Sequence, residues 1–339
     1  MPGHDIIVVG TSSGGVEALK RLVEALPADL PAAMLVVLHR PADSPSLLTE
    51  ILRSMSSLDV ADADDGEAIV PGRVYVAPPD RHLLIERERV RLTRGPKENR
   101  FRPAIDPLFR SAAYGYGPRA IGVVLTGSLD DGTAGLWAIK DRGGVAIVQD
   151  PAEAMFPSMP SSALANVEVD YCLPMDKIAP TLVTLSAQPV SGGAAVSENL
   201  EIETRIALED NALEAGVLKL GKLSPFTCPE CSGTLLQIEE GGIVRFRCHT
   251  GHAYSVNSLL DDVTESVEYN LWSAVRVMDE LVLLLRHLDQ HAPANGDTSA
   301  RIAEQIRDVQ QRSQLIRQAL LRPKPPTTGD RRPATGDRR

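Results

Sequence analysis

Two adjacent serines, Ser12 and Ser13, lie in the turn Gly10-Thr11-Ser12-Ser13-Gly14-Gly15, directly behind the apolar run Ile6–Val9. A hydroxyl-and-glycine turn between a strand and a helix serves one of two chemistries: it cradles phosphate or it raises a nucleophile. The phosphate readings fail on detail. A P-loop places a Lys-Ser/Thr pair after its last glycine, and here Val16 and Glu17 follow Gly15. A dinucleotide site needs G-x-G-x-x-G and an acidic residue closing the second strand, which here ends in His39. The nucleophile reading fits better, because residues 10–14 match G-x-S-x-G and a helix N-terminus would face a developing oxyanion. Alone the pattern is weak, since a serine there is also an ordinary helix N-cap. It needs a base and an orienting carboxylate. His39 ends the strand pattern of VVLHRP, and Asp130 and Asp131 follow IGVVLTG in the segment GSLDDGTAG. A histidine or an aspartate at a strand end has its own ordinary reading, as a surface or capping group. Three strand ends delivering Ser, His and Asp to one sheet edge point instead to nucleophilic catalysis.

The elements that must position these groups alternate strand and helix patterns over residues 5–186. IIVVG reads as a buried strand, and Val16, Leu19, Leu22, Val23 and Leu26 recur at helical spacing until Pro27. AMLVVL (33–38) is a second strand, followed by a helix carrying Leu47, Leu48, Ile51, Leu52 and Met55. RVYVAPPDRHLLIERERVRLT suggests short strands and a hairpin, and AIGVVLTG (120–127) and GVAIVQD (144–150) are further buried strands. The pattern predicts a three-layer α/β/α domain around a mainly parallel, doubly wound sheet.

With 339 residues and 43% hydrophobic content, the chain has material for a sizeable core and more than one domain. Its net charge of -10 excludes a dedicated nucleic-acid binder, which needs a basic surface. No run approaches the length of a membrane span, and the N-terminus carries no basic region or cleavage site, so a cytoplasmic location is expected.

A second chemistry lies further along. Cys228-Pro-Glu-Cys231, sixteen residues, then Cys248-His-Thr-Gly-His252 carries the spacing of a small zinc site. The intervening TLLQIEEGGIVRFR reads as two strands around a Glu-Gly-Gly turn, as a zinc ribbon requires. The expected ligands are Cys228, Cys231, Cys248 and His252, with His249 the competitor for the fourth place. Four protein ligands would make the zinc structural rather than catalytic. Cys172, in VDYCLP, is expected to be a core thiol.

The blocks VVGTSSGGVEAL, VVLHRP, DDGEAIVPGRVYVAPPDRHL, NRFRPAIDPLF and VVLTGSLDDGTAG resemble, in order, the signature blocks of the chemotaxis protein-glutamate methylesterases, the CheB family. The resemblance runs from about residue 5 to 186. It implies a Ser-His-Asp esterase whose triad falls on Ser12, His39 and Asp131, the aspartate directly before the glycine. It implies hydrolysis of γ-glutamyl methyl esters on the cytoplasmic helices of chemoreceptors, and deamidation of glutamines there, with no catalytic cofactor. Around the triad, Ser13 and Ser128 are oxyanion or substrate-binding candidates, and the family blocks add Arg102, Asp106 and Met159 as groups beside the site. Two departures stand out. Ser128 and Leu129 occupy positions where many members carry methionine and glycine, which keeps open a different modified protein or a small ester as substrate, or a non-catalytic scaffold. The receiver domain that precedes the esterase in many members is not expected here, because the first strand begins at residue 5.

The expected organisation is a catalytic domain over 1–187, a linker with a short helix over 188–222, a zinc-ribbon-like module over 223–256, a helical hairpin over 257–322 and a disordered tail over 323–339. Leu259, Leu260, Val263, Val267, Leu271 and Val275 form a helical stripe suited to a core, to self-association or to a partner.

Overall fold

The computed structural model describes residues 3–44, 47–190, 192–209, 211–291 and 296–322. In chain order the elements are β1 (Ile6–Thr11), α1 (Gly15–Glu24), β2 (Ala33–Leu38), α2 (Leu47–Met55), β3 (Asp59–Asp62) and β4 (Arg73–Val76). The hairpin β5 (His82–Glu86) and β6 (Arg89–Thr93) follows, then α3 (Ile105–Tyr116), β7 (Ala120–Val124), α4 (Thr133–Asp141) and β8 (Val145–Gln149). Next come α5 (Ser158–Asn166), β9 (Tyr171–Leu173), α6 (Met175–Ser186), α7 (Glu198–Glu209) and α8 (Ala212–Ala215). The strands β10 (Lys222–Thr227), β11 (Thr234–Glu240), β12 (Ile243–Cys248) and β13 (Ala253–Ser255) lead into α9 (Val256–His291) and α10 (Gly296–Leu320).

Seven strands form one sheet in the order β3-β4-β2-β1-β7-β8-β9, and every neighbouring pair is parallel. A parallel sheet needs both faces covered, and alternate residues of each strand serve opposite faces. Ile7 and Val9 join α1, α2 and α6 in one apolar cluster, through Leu19, Leu22, Leu52 and Leu182. Ile6 and Val8 join α3, α4 and α5 in the other, through Phe109, Leu136 and Met159. The chain starts in the middle, winds outward through β2, then returns to β7 on the other side. The order therefore reverses between β1 and β7, and a crevice opens there at the carboxyl ends of the strands.

Gly10 makes the central strand compatible with α3. A Cβ at Gly10 would stand 2.2 Å from Ile105 Cγ2, so any larger residue would push the start of α3 away. Cys172 is exposed, which corrects its reading as a core thiol. The physical reason is that β9 is an edge strand, paired only with β8 within the sheet.

The stretch expected as a linker is in large part packed. On α7, Leu200 joins the cluster around α3, and Ile202 and Ile206 share a small core with Val217, Leu236 and Ile238. Beyond it, β10 to β13 form an antiparallel four-stranded sheet with the two glycines of the expected turn, Gly241 and Gly242, at positive φ. One compact unit ends at Leu259, and a second begins at Leu260. In the second, Asp279 of α9 accepts from Arg317 of α10 at 2.5 Å and from Ser313 at 3.3 Å, and Val275, Val282 and Leu285 of α9 are buried. The expected disordered tail and the turn at 292–295 lie outside the described residues. Among the described residues no helix is long and apolar enough to cross a membrane.

Candidate active site and metal centre

The serine turn is held at both ends by the central strands. Ser12 N–H donates to Thr126 O at 3.0 Å, His39 N–H to Thr11 O at 3.1 Å, and Thr11 Oγ1 to Thr126 O at 2.8 Å. These bonds tie the ends of β1, β2 and β7 together. Gly14 takes φ +77, a left-handed conformation that strains a residue with a Cβ, and α1 starts at the next residue. The chain therefore turns sharply at Ser12 and Ser13, with the positive end of a helix immediately behind.

The three candidates meet. His39 Nδ1 stands 3.2 Å from Ser12 Oγ, and His39 Nε2 stands 2.7 Å from Asp131 Oδ2. The imidazole is nearly closed off from water, and it stacks on Phe101 with centroids 3.8 Å apart and planes 9° from parallel. Asp131 is buried and accepts Ile105 N–H at 2.7 Å and Asn99 Nδ2–H at 2.8 Å. Burial alone would raise its pKa, but the hydrogen bond and charge of His39, with the Ile105 and Asn99 donors, outweigh it and hold the carboxyl at about 2. A carboxylate fixed in this way keeps Nε2 protonated and leaves Nδ1 free to take a proton from Ser12.

The remaining candidates divide. Ser13 Oγ accepts from Ser128 Oγ at 3.3 Å on the exposed side of the turn. Arg102 is half-buried on the same side, with Nε and Nη2 on Asp80 Oδ1 at 2.9 and 2.6 Å. Asp106 and Met159 are corrections to their reading as substrate-side groups, because both are buried. Asp106 sits behind Asp131, accepting Gly132 N–H at 3.1 Å, Gly135 N–H at 2.7 Å and Asn99 Nδ2–H at 3.1 Å. Burial and the Asp131 charge push its pKa up to about 8, as two adjacent buried carboxyls require. Met159 fills the apolar cluster under the sheet, against Gly127. Sequence reasoning passed over Asn99 and Phe101. Both lie in the NRFRP block, but nothing in their spacing says which members of that block face the histidine.

Two depressions share Ser12 and His39. One, of about 490 Å³, is lined by Ser13, Arg40, Lys97, Arg100, Phe101 and Arg102, with Asp80 the one carboxylate among them. The other, of about 630 Å³, is lined by Val16, Lys20, Leu38, Ile51 and Met155. Ser12 thus lies between a mainly basic hollow and a more apolar one.

The cysteine cluster also assembles. The donor atoms of Cys228, Cys231, Cys248 and His252 all lie within 4.8 Å of one another, on the β10–β11 and β12–β13 turns. Cys231 Sγ and Cys248 Sγ are 3.6 Å apart, and Cys248 Sγ and His252 Nδ1 are 3.6 Å apart. Tetrahedral zinc with ordinary bond lengths places two sulfurs about 3.8 Å apart and a sulfur and a nitrogen about 3.6 Å apart. The donor set therefore fits zinc. His249 packs instead against Gly233 and is absent from the cluster.

The geometry agrees with what the chain resembles. A family model described as CheB methylesterase matches residues 7–182, just over half of the chain. A protein-glutamate methylesterase/protein-glutamine glutaminase 1 of Xanthomonas euvesicatoria is 41% identical over 187 residues, covering 54% of this chain and 52% of that protein. Its counterpart numbered 4 in Anaeromyxobacter dehalogenans is 40% identical over 187 residues, with 54% and 52% covered. The crystal structure of the Thermotoga maritima CheB methylesterase catalytic domain aligns with a TM-score of 0.52 at 38% identity, over 55% of this chain and 100% of that one. This chain belongs to the CheB methylesterase family. It spans about half the length of the curated relatives it matches first.

Proposed function

We propose that this chain is a cytoplasmic serine hydrolase that removes methyl esters from glutamyl side chains of chemoreceptors and deamidates glutamines there. The observation that carries the reading is the Ser12–His39–Asp131 chain at the crevice between β1 and β7, with contacts of 3.2 and 2.7 Å. His39 Nδ1 takes the Ser12 proton as Oγ attacks the γ-carbonyl carbon, and Asp131 stabilises the imidazolium that forms. Backbone N–H groups of the turn at the start of α1 face the developing oxyanion. As the tetrahedral intermediate collapses, Nδ1 returns its proton to the departing methoxide, or to the leaving amide nitrogen of a glutamine. A water, deprotonated by the same nitrogen, then resolves the acyl-enzyme to the glutamate carboxylic acid, and Ser12 is regenerated. No cofactor enters these steps. The basic hollow beside Ser12 supports an acidic protein substrate, and receptor helices rich in glutamate and its esters are one.

Methanol release from chemoreceptors methylated in vitro tests this, with Ser12→Ala as the reference. Release by the wild type and none by Ser12→Ala is expected. Labelling of Ser12 by a fluorophosphonate without any methanol release would move the substrate to another ester, and no labelling would overturn the hydrolase.

The second half of the reading is structural. Cys228, Cys231, Cys248 and His252 hold zinc, with all four positions filled by protein, so the metal stabilises the ribbon and takes no part in hydrolysis. Stoichiometric zinc in the purified protein, lost in Cys228→Ser, is the expected outcome.

A further inference from the structure

The ribbon reaches the back of the catalytic aspartate. The loop Lys97–Asn99 runs beside β13 as an added strand: Asn99 N–H donates to Ala253 O at 2.8 Å, and Ala253 N–H to Lys97 O at 3.3 Å. Asn99 has φ +48, a left-handed conformation that asparagine tolerates better than most residues. Its amide is fully used. Nδ2 donates to Asp131 Oδ1 at 2.8 Å and to Asp106 Oδ2 at 3.1 Å. Oδ1 accepts Ser255 N–H at 2.8 Å and Ser258 Oγ–H at 2.9 Å. A backbone N–H can only donate, so Ser255 dictates which end of the amide faces the ribbon and, with it, which end faces Asp131. A flipped amide would aim its oxygen at two carboxyls and its NH2 at two donors.

Resting on the triad reading above, we propose that Asn99 is a positioning residue for Asp131 and that Ser255, at the end of β13, and Ser258, in the first turn of α9, set its orientation. The ribbon end is thereby a working part of the esterase and not only an appendage. Asn99, Ser258 and Asp131 are all buried, so water does not replace a lost partner freely. The adjacent Glu98 is locked in the same direction, accepting Arg110 at 2.5 Å and the ribbon's Arg247 at 3.0 Å. Asn257 makes a neighbouring contact outside the bonds to Asn99: its Nδ2 donates to Asp130 Oδ2 at 2.9 Å, and Asp130, which also accepts Ser255 Oγ–H at 2.5 Å, has no hydrogen bond to Asn99, His39 or Ser12.

The test uses the full-length protein and steady-state hydrolysis of p-nitrophenyl acetate, with a melting curve for each variant. Ser258→Ala should lower kcat roughly fivefold, the scale of one neutral hydrogen bond, with KM within about twofold. Asn99→Ala should lower kcat further, about thirtyfold, because it strips a donor from the buried carboxylate itself. Ser258→Thr, which keeps the hydroxyl, should restore the wild-type rate, and Asn257→Ala should leave it unchanged. In the double variant Asn99→Ala/Ser258→Ala the second change should cost nothing more, as for two links of one chain. A wild-type rate in Ser258→Ala, an equal loss in Asn257→Ala, or the same factor in the Asn99→Ala background overturns the relay. If hydrolysis does not depend on Ser12, the triad reading falls first and takes the relay with it. Ser12-dependent hydrolysis with an unaffected Ser258→Ala removes the relay alone.

Discussion

The parallel sheet and the ribbon lie in one compact unit, yet they hold their chemistry by different forces. Around the sheet, long apolar clusters cover both faces, and the triad stands at strand ends outside them. The ribbon's own core is small: Leu235, Phe246, Tyr254 and Leu259 pack with Cys228 and Cys248. Beyond it, Leu236 and Ile238 pack with Ile202 and Ile206 of α7, and a buried charge cluster ties the ribbon to α3 and α7. Glu203 accepts Arg245 at 2.7 Å and Arg247 at 2.9 Å, while Glu98 bridges Arg247 and Arg110. Apolar burial is additive and tolerant, whereas a buried polar cluster fails when one partner is removed. Substitutions at the sheet edge should therefore cost activity and leave stability, and substitutions in the ribbon should cost stability first.

The largest effect expected is metal removal. Structural zinc in small modules binds with an apparent ~10–16 kcal/mol, more than the ribbon core can replace. Chelation or Cys248→Ser should give an early unfolding transition, while the far-UV signal of the parallel sheet persists to higher temperature. An unchanged melting curve in the chelated protein would place the ribbon with the sheet, as a self-sufficient fold. Ser12→Ala comes next and inverts the pattern. It should lower kcat by about 10⁴-fold or more while stability stays within about 0.5 kcal/mol of wild type. A variant that melted early would mean that the turn carries the sheet edge. Glu203→Ala should then cost about 3–5 kcal/mol in denaturant unfolding, because Arg245 and Arg247 remain buried beside the missing carboxylate.

The same contrast explains what could be read without a structure. Ser12 and His39 were legible because each directly follows an apolar strand run, and a parallel sheet brings strand ends to one edge; Asp131 lies further on, in the loop after β7, and only the family resemblance chose it over Asp130. The grouping of Cys228, Cys231, Cys248 and His252 was legible from local spacing. Asn99 and its partners were not, since its bonds to Ser255 and Ser258 span 156 and 159 residues and involve ordinary serines. Nor was α3 marked out by periodicity: it is buried on nearly every side, so no polar stripe alternates with an apolar one. Asp106 was visible as a residue but not in its place, because that helix carries it inward, behind Asp131, rather than toward the cleft.

The smallest effect separates the two regions by pH. Burial raises the pKa of Glu203, but Arg245, Arg110 and Arg247 outweigh it and hold it well below the usual carboxylate range; Glu98 is held down likewise by Arg110 and Arg247. A carboxyl whose folded pKa is depressed binds fewer protons folded than unfolded, so its contribution is complete above the unfolded pKa of about 4.3. It is lost as pH falls from there toward the folded value. Urea midpoints measured from pH 7 down to pH 3 should therefore fall, and should fall less steeply in Glu203→Gln, which has no charge to lose. The gap between wild type and variant should narrow as the carboxyl of the unfolded wild-type chain takes up its proton. A gap that stayed constant down to pH 3 would mean that Glu203 holds the ribbon through packing rather than charge, and the contrast between the two regions would then rest on the metal alone.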